Sequence, residues 1–197
     1  MDSDLEIIQA VPQGDVERYG ELVQRYQLAA WKLAFSFVGN MEEAKDVSQN
    51  GFVKAYRHLH RFRAGAKFST WLYRILANEC KDSLRRKVRQ PEMVPMAAES
   101  EASLDGEGPL FEPADPGANP RHAAANREMA GRLSQAIRRL PMKQRSAFLL
   151  HHVNGLPLAE VSQVMGCRVG TVKAHLFRAS ESLRVGLGPF LTVEDFR

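Results

Sequence analysis

Residues 156–183 read LPLAEVSQVMGCRVGTVKAHLFRASESL, and this stretch decides the fold. Leu158, Val161 and Val164 recur at three-residue steps and predict a short core-facing helix from Leu156 to Met165. Gly166 should end it, because glycine tolerates the positive φ common just past a helix C-terminus. Val169, Val172, Leu176, Ala179 and Leu183 then step by three, four, three and four, the spacing of a buried stripe on a second helix. Arg168, Thr171, Lys173, Ala174, His175, Phe177 and Arg178 are left outward near its start, with Lys173, His175 and Arg178 foremost. A short helix, a glycine turn and a second helix with a cationic N-terminal half match the helix-turn-helix layout, whose second helix enters the major groove of DNA. The same turn also occurs as a plain packing motif, so the spacing alone leaves both readings open.

Upstream, Leu133, Ile137 and Leu140 keep a helical period and Pro141 punctuates it. Before them, residues 90–120 carry six prolines, seven acids and no Lys or Arg. Such a segment cannot bury enough apolar surface to offset its ordering entropy, and it reads as an extended acidic linker. The chain therefore divides into 1–89, 90–120 and 121–197, with the flanking blocks expected to fold separately. The first block holds 15 basic and 11 acidic residues and the last 12 and 5, so two cationic modules flank an anionic strip. That arrangement suits a polyanionic partner, although solvated basic surfaces look similar. Alternating Val/Ile/Thr runs and hairpin dipeptides are scarce, which points to an all-α protein.

In the first block, residues 68–86 read FSTWLYRILANECKDSLRR. Phe68, Trp71, Leu72, Ile75, Leu76 and Glu79 share one helical side, all apolar except the last. Arg74, Asn78, Lys81 and Arg85 stack along another side. Cations can grip phosphates and an amide can read a base edge, so this ridge suits DNA; a solvated face has the same pattern. The preceding loop, Arg57 to Gly65, sets cations beside aromatic rings, as an unstacked base requires. A further helix over Glu43 to Tyr56 should bury Ala44, Val47, Gly51, Phe52, Ala55 and Leu59. Asp46, Gln49, Val53 and Lys54 then point to solvent or to a partner protein.

Other chemistries find little support. His58 and His60 have no acidic or cysteine neighbours at ligand spacing, and Cys80 and Cys167 lie far apart, so neither a metal nor any other cofactor is expected. The acids are scattered and no glycine-rich loop opens a helix, which argues against a nuclease or phosphotransferase. The acidic N-terminus is not a secretory signal, and Leu28 to Val38 falls short of the roughly 20 apolar residues that a bilayer needs. A cytoplasmic protein with no membrane insertion is expected.

Together these segments resemble the extracytoplasmic-function (group IV) sigma factors of bacterial RNA polymerase, in the sigma-70 family. EAKDVSQNGFVKAY is similar to their region 2.2, FSTWLYRILANECKDSLRR to regions 2.3 and 2.4, and LPMKQR…GTVKAHLFRA to region 4. The resemblance implies an all-α chain: a region 2 bundle (1–89), a flexible acidic linker (90–120) and a region 4 helix-turn-helix (121–197). It implies a transcription initiation factor, not an enzyme, that binds core RNA polymerase at the β′ clamp and the β flap and reads promoter DNA. An anti-sigma factor and a role in stress or envelope responses are implied as well. By the same resemblance Asp46, Gln49 and Val53 face core polymerase. Arg61, Phe62, Phe68, Trp71, Arg74, Asn78, Lys81 and Arg85 meet the minus-ten element. Arg168, Thr171, Lys173, Ala174, His175, Phe177 and Arg178 meet the minus-thirty-five element.

Three sites depart from the family pattern. Asn50-Gly51 stands where a Glu and a second helix former are common, and the glycine should weaken that helix by roughly 1 kcal/mol. Ser162 replaces a usual Ala, and Ala174-His175 replaces a commoner Ser-Arg pair. The competing reading is a DNA-binding regulator of the tetra-helical helix-turn-helix kind, with the first block as its effector or dimer domain. Such a regulator would bind promoter duplex alone and has no use for a single-strand reader.

Overall fold

A computed structural model describes residues 3–11, 15–63, 65, 67–89 and 120–187, and among these it holds eight α-helices and no strand. The expected linker, apart from Pro120, and the tail beyond Leu187 lie outside the described residues. Helix α1 (Asp4–Ala10) opens on a capping box, in which Ser3 accepts from the Glu6 amide and Glu6 reaches back to the Ser3 amide. Helix α2 (Tyr19–Val38) ends at Gly39, whose N–H donates to the Phe35 carbonyl at 2.8 Å. Helix α3 (Met41–Arg57) starts on the Asn40 side chain, which accepts from the Glu43 amide at 3.0 Å. Helix α4 (Phe68–Arg89) lies across both.

The first block is the bundle of these four. Asp4 takes hydrogen bonds from Arg25 and Tyr26, which fastens α1 to α2. Tyr19 Oη donates to the Phe52 carbonyl at 2.7 Å, and burial raises its phenol far above the ordinary value. Ala44, Val47, Gly51, Phe52, Ala55 and Leu59 are all buried, as the period of α3 requires. Gly51 is buried as expected, and it has a further role in the packing. A β-carbon there would overlap Leu76 Cδ2 and stand 3.2 Å from Leu76 Cγ, so the missing side chain is what lets α3 approach α4. Glu79 joins the core side of α4 despite its charge because Lys54 of α3 pairs with it.

The second block comprises α5 (Pro120–Arg139), α6 (Met142–Phe148) with a π turn continuing it over Leu149–Val153, α7 (Leu158–Met165) and α8 (Val169–Leu187). Helix α7 begins two residues later than expected, with Pro157 as its N-cap. Gly166 ends it in the left-handed region at φ +64°, the conformation its place in the turn calls for. Val161, Val164, Val172, Ala179 and Leu183 are buried, and Leu176 is partly so.

The blocks do not stand apart. Buried Arg145 of α6 donates to the Phe37 carbonyl near the C-terminus of α2. Asn154 Nδ2 donates to Ser36 Oγ at 3.1 Å. Helix α7 lies on α4, and Lys67 Nζ meets Glu160 Oε1 at 2.8 Å.

Candidate nucleic-acid interface

A helix turns about 100° per residue, so α4 can present three faces at once. Phe68, Leu72, Leu76, Glu79 and Ser83 are buried on the first. The ion pair of Glu79 with Lys54 and the hydrogen bond from Ser83 Oγ to Glu43 Oε1, at 2.6 Å, turn that side towards α3. Thr70, Tyr73, Ala77 and Cys80 step by three, four and three along the second. Thr70 Oγ1 lies 3.5 Å from Glu160 Oε2, and the Glu160 carboxylate, after burial, raises the Tyr73 phenol. Burial pushes the Cys80 thiol up to about 12, opposed in part by the charge of Arg145. This face therefore looks onto the second block.

Arg74, Asn78, Lys81 and Arg85 occupy the third face, beside the first two. Arg74, Asn78 and Arg85 are exposed and Lys81 is half-buried. Burial first, and then the adjacent Arg85, push the Lys81 ammonium below its usual value. Arg85 lies 3.6 Å from Asp82 within the same helix. One amide and three cations thus stand in a row on a rigid element, with no core role to explain their pattern.

At the N-terminal end of this row a cleft of about 460 Å³ opens between the loop and the helix. Arg61, Phe62, Arg63, Thr70, Trp71 and Arg74 line it, together with Gln163 of α7. Phe62 and Trp71 meet edge to face at 5.6 Å and both stay partly exposed. Their rings flank guanidinium groups, a combination that can stack an unpaired base and hold its phosphate. Phe68, expected to contact the minus-ten strand, sits elsewhere. It is 2% exposed and packs on Tyr26, Phe62 and Trp71, so its part is to brace the two rings that do reach the cleft.

On α8, Thr171, Lys173, Ala174, Phe177 and Arg178 are exposed, as is Arg168 just before it, and Phe177 keeps 69% of its surface. Two expectations change here. Val169, assigned to the buried stripe, is 37% exposed because it lies at the very start of α8. His175, expected to point outward, is half-buried, and its Nδ1 is enclosed without a protein hydrogen-bond partner. Partial burial, then the charges of Lys143 and Arg178, lower its basicity. The outward surface of α8 is thus carried by Lys173, Ala174, Phe177 and Arg178, with Arg168 and Thr171 at its start. In the first block, Asp46, Gln49 and Val53 are all exposed along one side of α3.

Sequence reasoning missed Thr70, Glu160 and Gln163. Glu160 stands in the first turn of α7, where an acid usually serves the helix dipole, so nothing local distinguishes it. The signal was long-range, and only the packing of α7 on α4 exposes it.

Comparison with known proteins agrees with this layout. Residues 22–90 match the model for Sigma-70 region 2, and residues 130–183 match the model for Sigma-70 region 4. The chain is 35% identical to the RNA polymerase sigma-H factor of Pseudomonas aeruginosa over 190 residues, covering 96% of both. It is 33% identical to the ECF RNA polymerase sigma factor SigW of Bacillus subtilis, over 90% of this chain and 92% of that one. With the ECF RNA polymerase sigma-E factor of Escherichia coli it shares 32% identity over 96% of each. Among solved structures, CnrH in complex with the cytosolic domain of CnrY aligns over 94% of this chain and 97% of its own, with a TM-score of 0.65 and 24% identity. The sigma factor RpoE of Bartonella quintana, solved with the anti-sigma factor NepR, aligns over 87% and 99%, with a TM-score of 0.60 and 22% identity.

Proposed function

This chain belongs to the sigma-70 family of RNA polymerase sigma factors, in its extracytoplasmic-function branch, and from that premise we infer how its parts divide the work of starting transcription. As a transcription initiation factor it binds core RNA polymerase and directs it to promoters. The outer side of α3, with Asp46, Gln49 and Val53, docks on the polymerase clamp. The cleft and ridge, with Arg61, Phe62, Trp71, Arg74, Asn78, Lys81 and Arg85, take the unpaired minus-ten strand. The outward surface of α8, with Lys173, Ala174, Phe177 and Arg178, reads the minus-thirty-five element as duplex, and the second block also meets the β flap. The half-buried ring of His175 supports that surface. Control by an anti-sigma factor belongs to the same reading, as in the neighbour solved with NepR.

The observation that carries this reading is the cleft. Two aromatic residues and three arginines line one cleft of about 460 Å³ at the end of a cationic ridge. A duplex-only regulator would have no use for such a pocket, because a paired base presents no free ring face. The test is promoter opening by core polymerase with this factor, followed by permanganate reactivity of unpaired thymines. Trp71→Ala and Arg74→Ala should abolish opening while binding to core is retained. Normal opening by both variants would remove the cleft from the mechanism.

A further inference from the structure

We propose that α8 reads thymine by its methyl group, through an apolar strip of Ala174 and Phe177 set between two cations. This inference rests on the assignment of α8 as the reader of minus-thirty-five duplex. At about 100° per residue, Phe177, Ala174 and Arg178 lie about 40°, 100° and 140° around the helix from Lys173. All four are exposed. The outward arc therefore runs cation, phenyl, methyl, cation, with the charges at its edges. His175 falls about 200° from Lys173, outside that arc, which agrees with its half-buried ring. Thr171 stands one turn before Ala174 and is exposed too; its side chain carries a methyl beside its hydroxyl.

A single exposed apolar side chain on a helix needs no explanation. Phe177, however, keeps 69% of its surface at the centre of a reading face, beside a second apolar residue, and neither belongs to the core. In the major groove a base pair presents hydrogen-bonding groups and one apolar group, the C5 methyl of thymine. A phenyl edge and a methyl can bury that group, whereas they satisfy no donor or acceptor on a base edge. Lys173 and Arg178 can take guanine or phosphate on either side. Ala174 matters as much as the ring. The family commonly has a Ser there, whose hydroxyl would bring a donor and acceptors to the middle of the arc. The promoters of this chain are thus those whose minus-thirty-five element sets at least one thymine, on either strand, beneath the middle of α8.

The test uses core polymerase carrying the full chain. Duplexes randomised across the minus-thirty-five element, with minus-ten held constant, are first selected for binding and should be enriched in an A·T pair at one or more positions. At each such position a synthetic duplex then carries deoxyuridine in place of thymidine, which removes the methyl and keeps every hydrogen-bonding group. Loss of one buried methyl should weaken binding about fourfold. At the same position 5-methylcytosine should bind more tightly than cytosine. Phe177→Ala should bind the thymine and deoxyuridine duplexes alike, and Ala174→Ser, which keeps the ring, should narrow the difference. Lys173→Ala should weaken both duplexes and retain their ratio. Equal binding of the two duplexes by the unaltered chain, with base preference still changed by Lys173→Ala or Arg178→Ala, would overturn methyl reading and leave α8 as the duplex reader. No enrichment at any minus-thirty-five position would remove the reader, and methyl reading with it. A ratio unchanged in both Phe177→Ala and Ala174→Ser would place the methyl contact on other residues and overturn the proposal as well.

Discussion

Gly51 of α3 faces Leu76 of α4 so closely that a β-carbon on the glycine would overlap Leu76 Cδ2. Leu76 is wholly buried and has little room to withdraw. Gly51→Ala gains about 1 kcal/mol of helix propensity but overpacks a filled core at about 1–3 kcal/mol, so a net loss of about 1 kcal/mol is expected. Leu76→Ala alone should cost about 2–5 kcal/mol, and in that background Gly51→Ala should turn stabilising. Urea denaturation of the two single variants and the double variant gives the coupling. Additive effects would mean that the two residues do not compete for space.

Asp46, Gln49 and Val53 lie exposed on the side of α3 that the core leaves free. Asp46→Lys should weaken binding to core polymerase about tenfold, because reversing an interfacial charge replaces attraction with repulsion. Its helical circular dichroism should match wild type. Unchanged affinity for core would end the docking assignment.

The outward face of α8 yields a test at the promoter. Lys173→Ala or Arg178→Ala should cost roughly 1–3 kcal/mol and relax preference at one minus-thirty-five position if the side chain reads a base. A lost phosphate contact would weaken all sequences alike and lower the salt slope by about one unit. At least one of the two variants should change base preference. Transcription from a library randomised across that element, with minus-ten held constant, separates these effects. Wild-type preference and salt slope in both variants would show that α8 is not the duplex reader.

Cys80 is fully buried in α4, and burial lifts its thiol to about 12, well above the ordinary range. The folded chain should therefore hold almost no Cys80 thiolate at pH 8, about one part in ten thousand. Raising the pH towards 9 increases that fraction tenfold per unit but leaves it small. Cys167 is partly exposed. Iodoacetamide at pH 8, read by mass spectrometry, should modify Cys167 first and Cys80 only when urea unfolds the chain. Equal rates in the folded protein would show that Cys80 is accessible.

Much of this molecule is legible in its sequence because helical periodicity is local. The stripe through Val172, Ala179 and Leu183, the turn at Gly166, and the outward placement of Asp46, Gln49 and Val53 all follow from which residues lie three and four apart. So does the cationic row of Arg74, Asn78, Lys81 and Arg85, since a charge repeated at helical spacing has nowhere to go but a surface. What periodicity cannot specify is the partner that covers a face. Thr70, Tyr73, Ala77 and Cys80 are small or amphipathic and carry no strong apolar signal, yet three of them are buried where α4 meets the second block. Gly51 could be placed on the inner face of α3, but its close approach to Leu76 could not be read from the sequence. His175 looked exposed until its Nδ1 was found enclosed, and Phe68 looked available until its three aromatic neighbours were in place. Glu160 and Lys67 lie 93 residues apart, and no local pattern links them. The sequence by itself determined α3, α4, α7 and α8, the main apolar stripe of each, and the family. Tertiary structure alone decided which groups share the cleft, because that depends on the packing of α7 against α4 across a span with no period of its own.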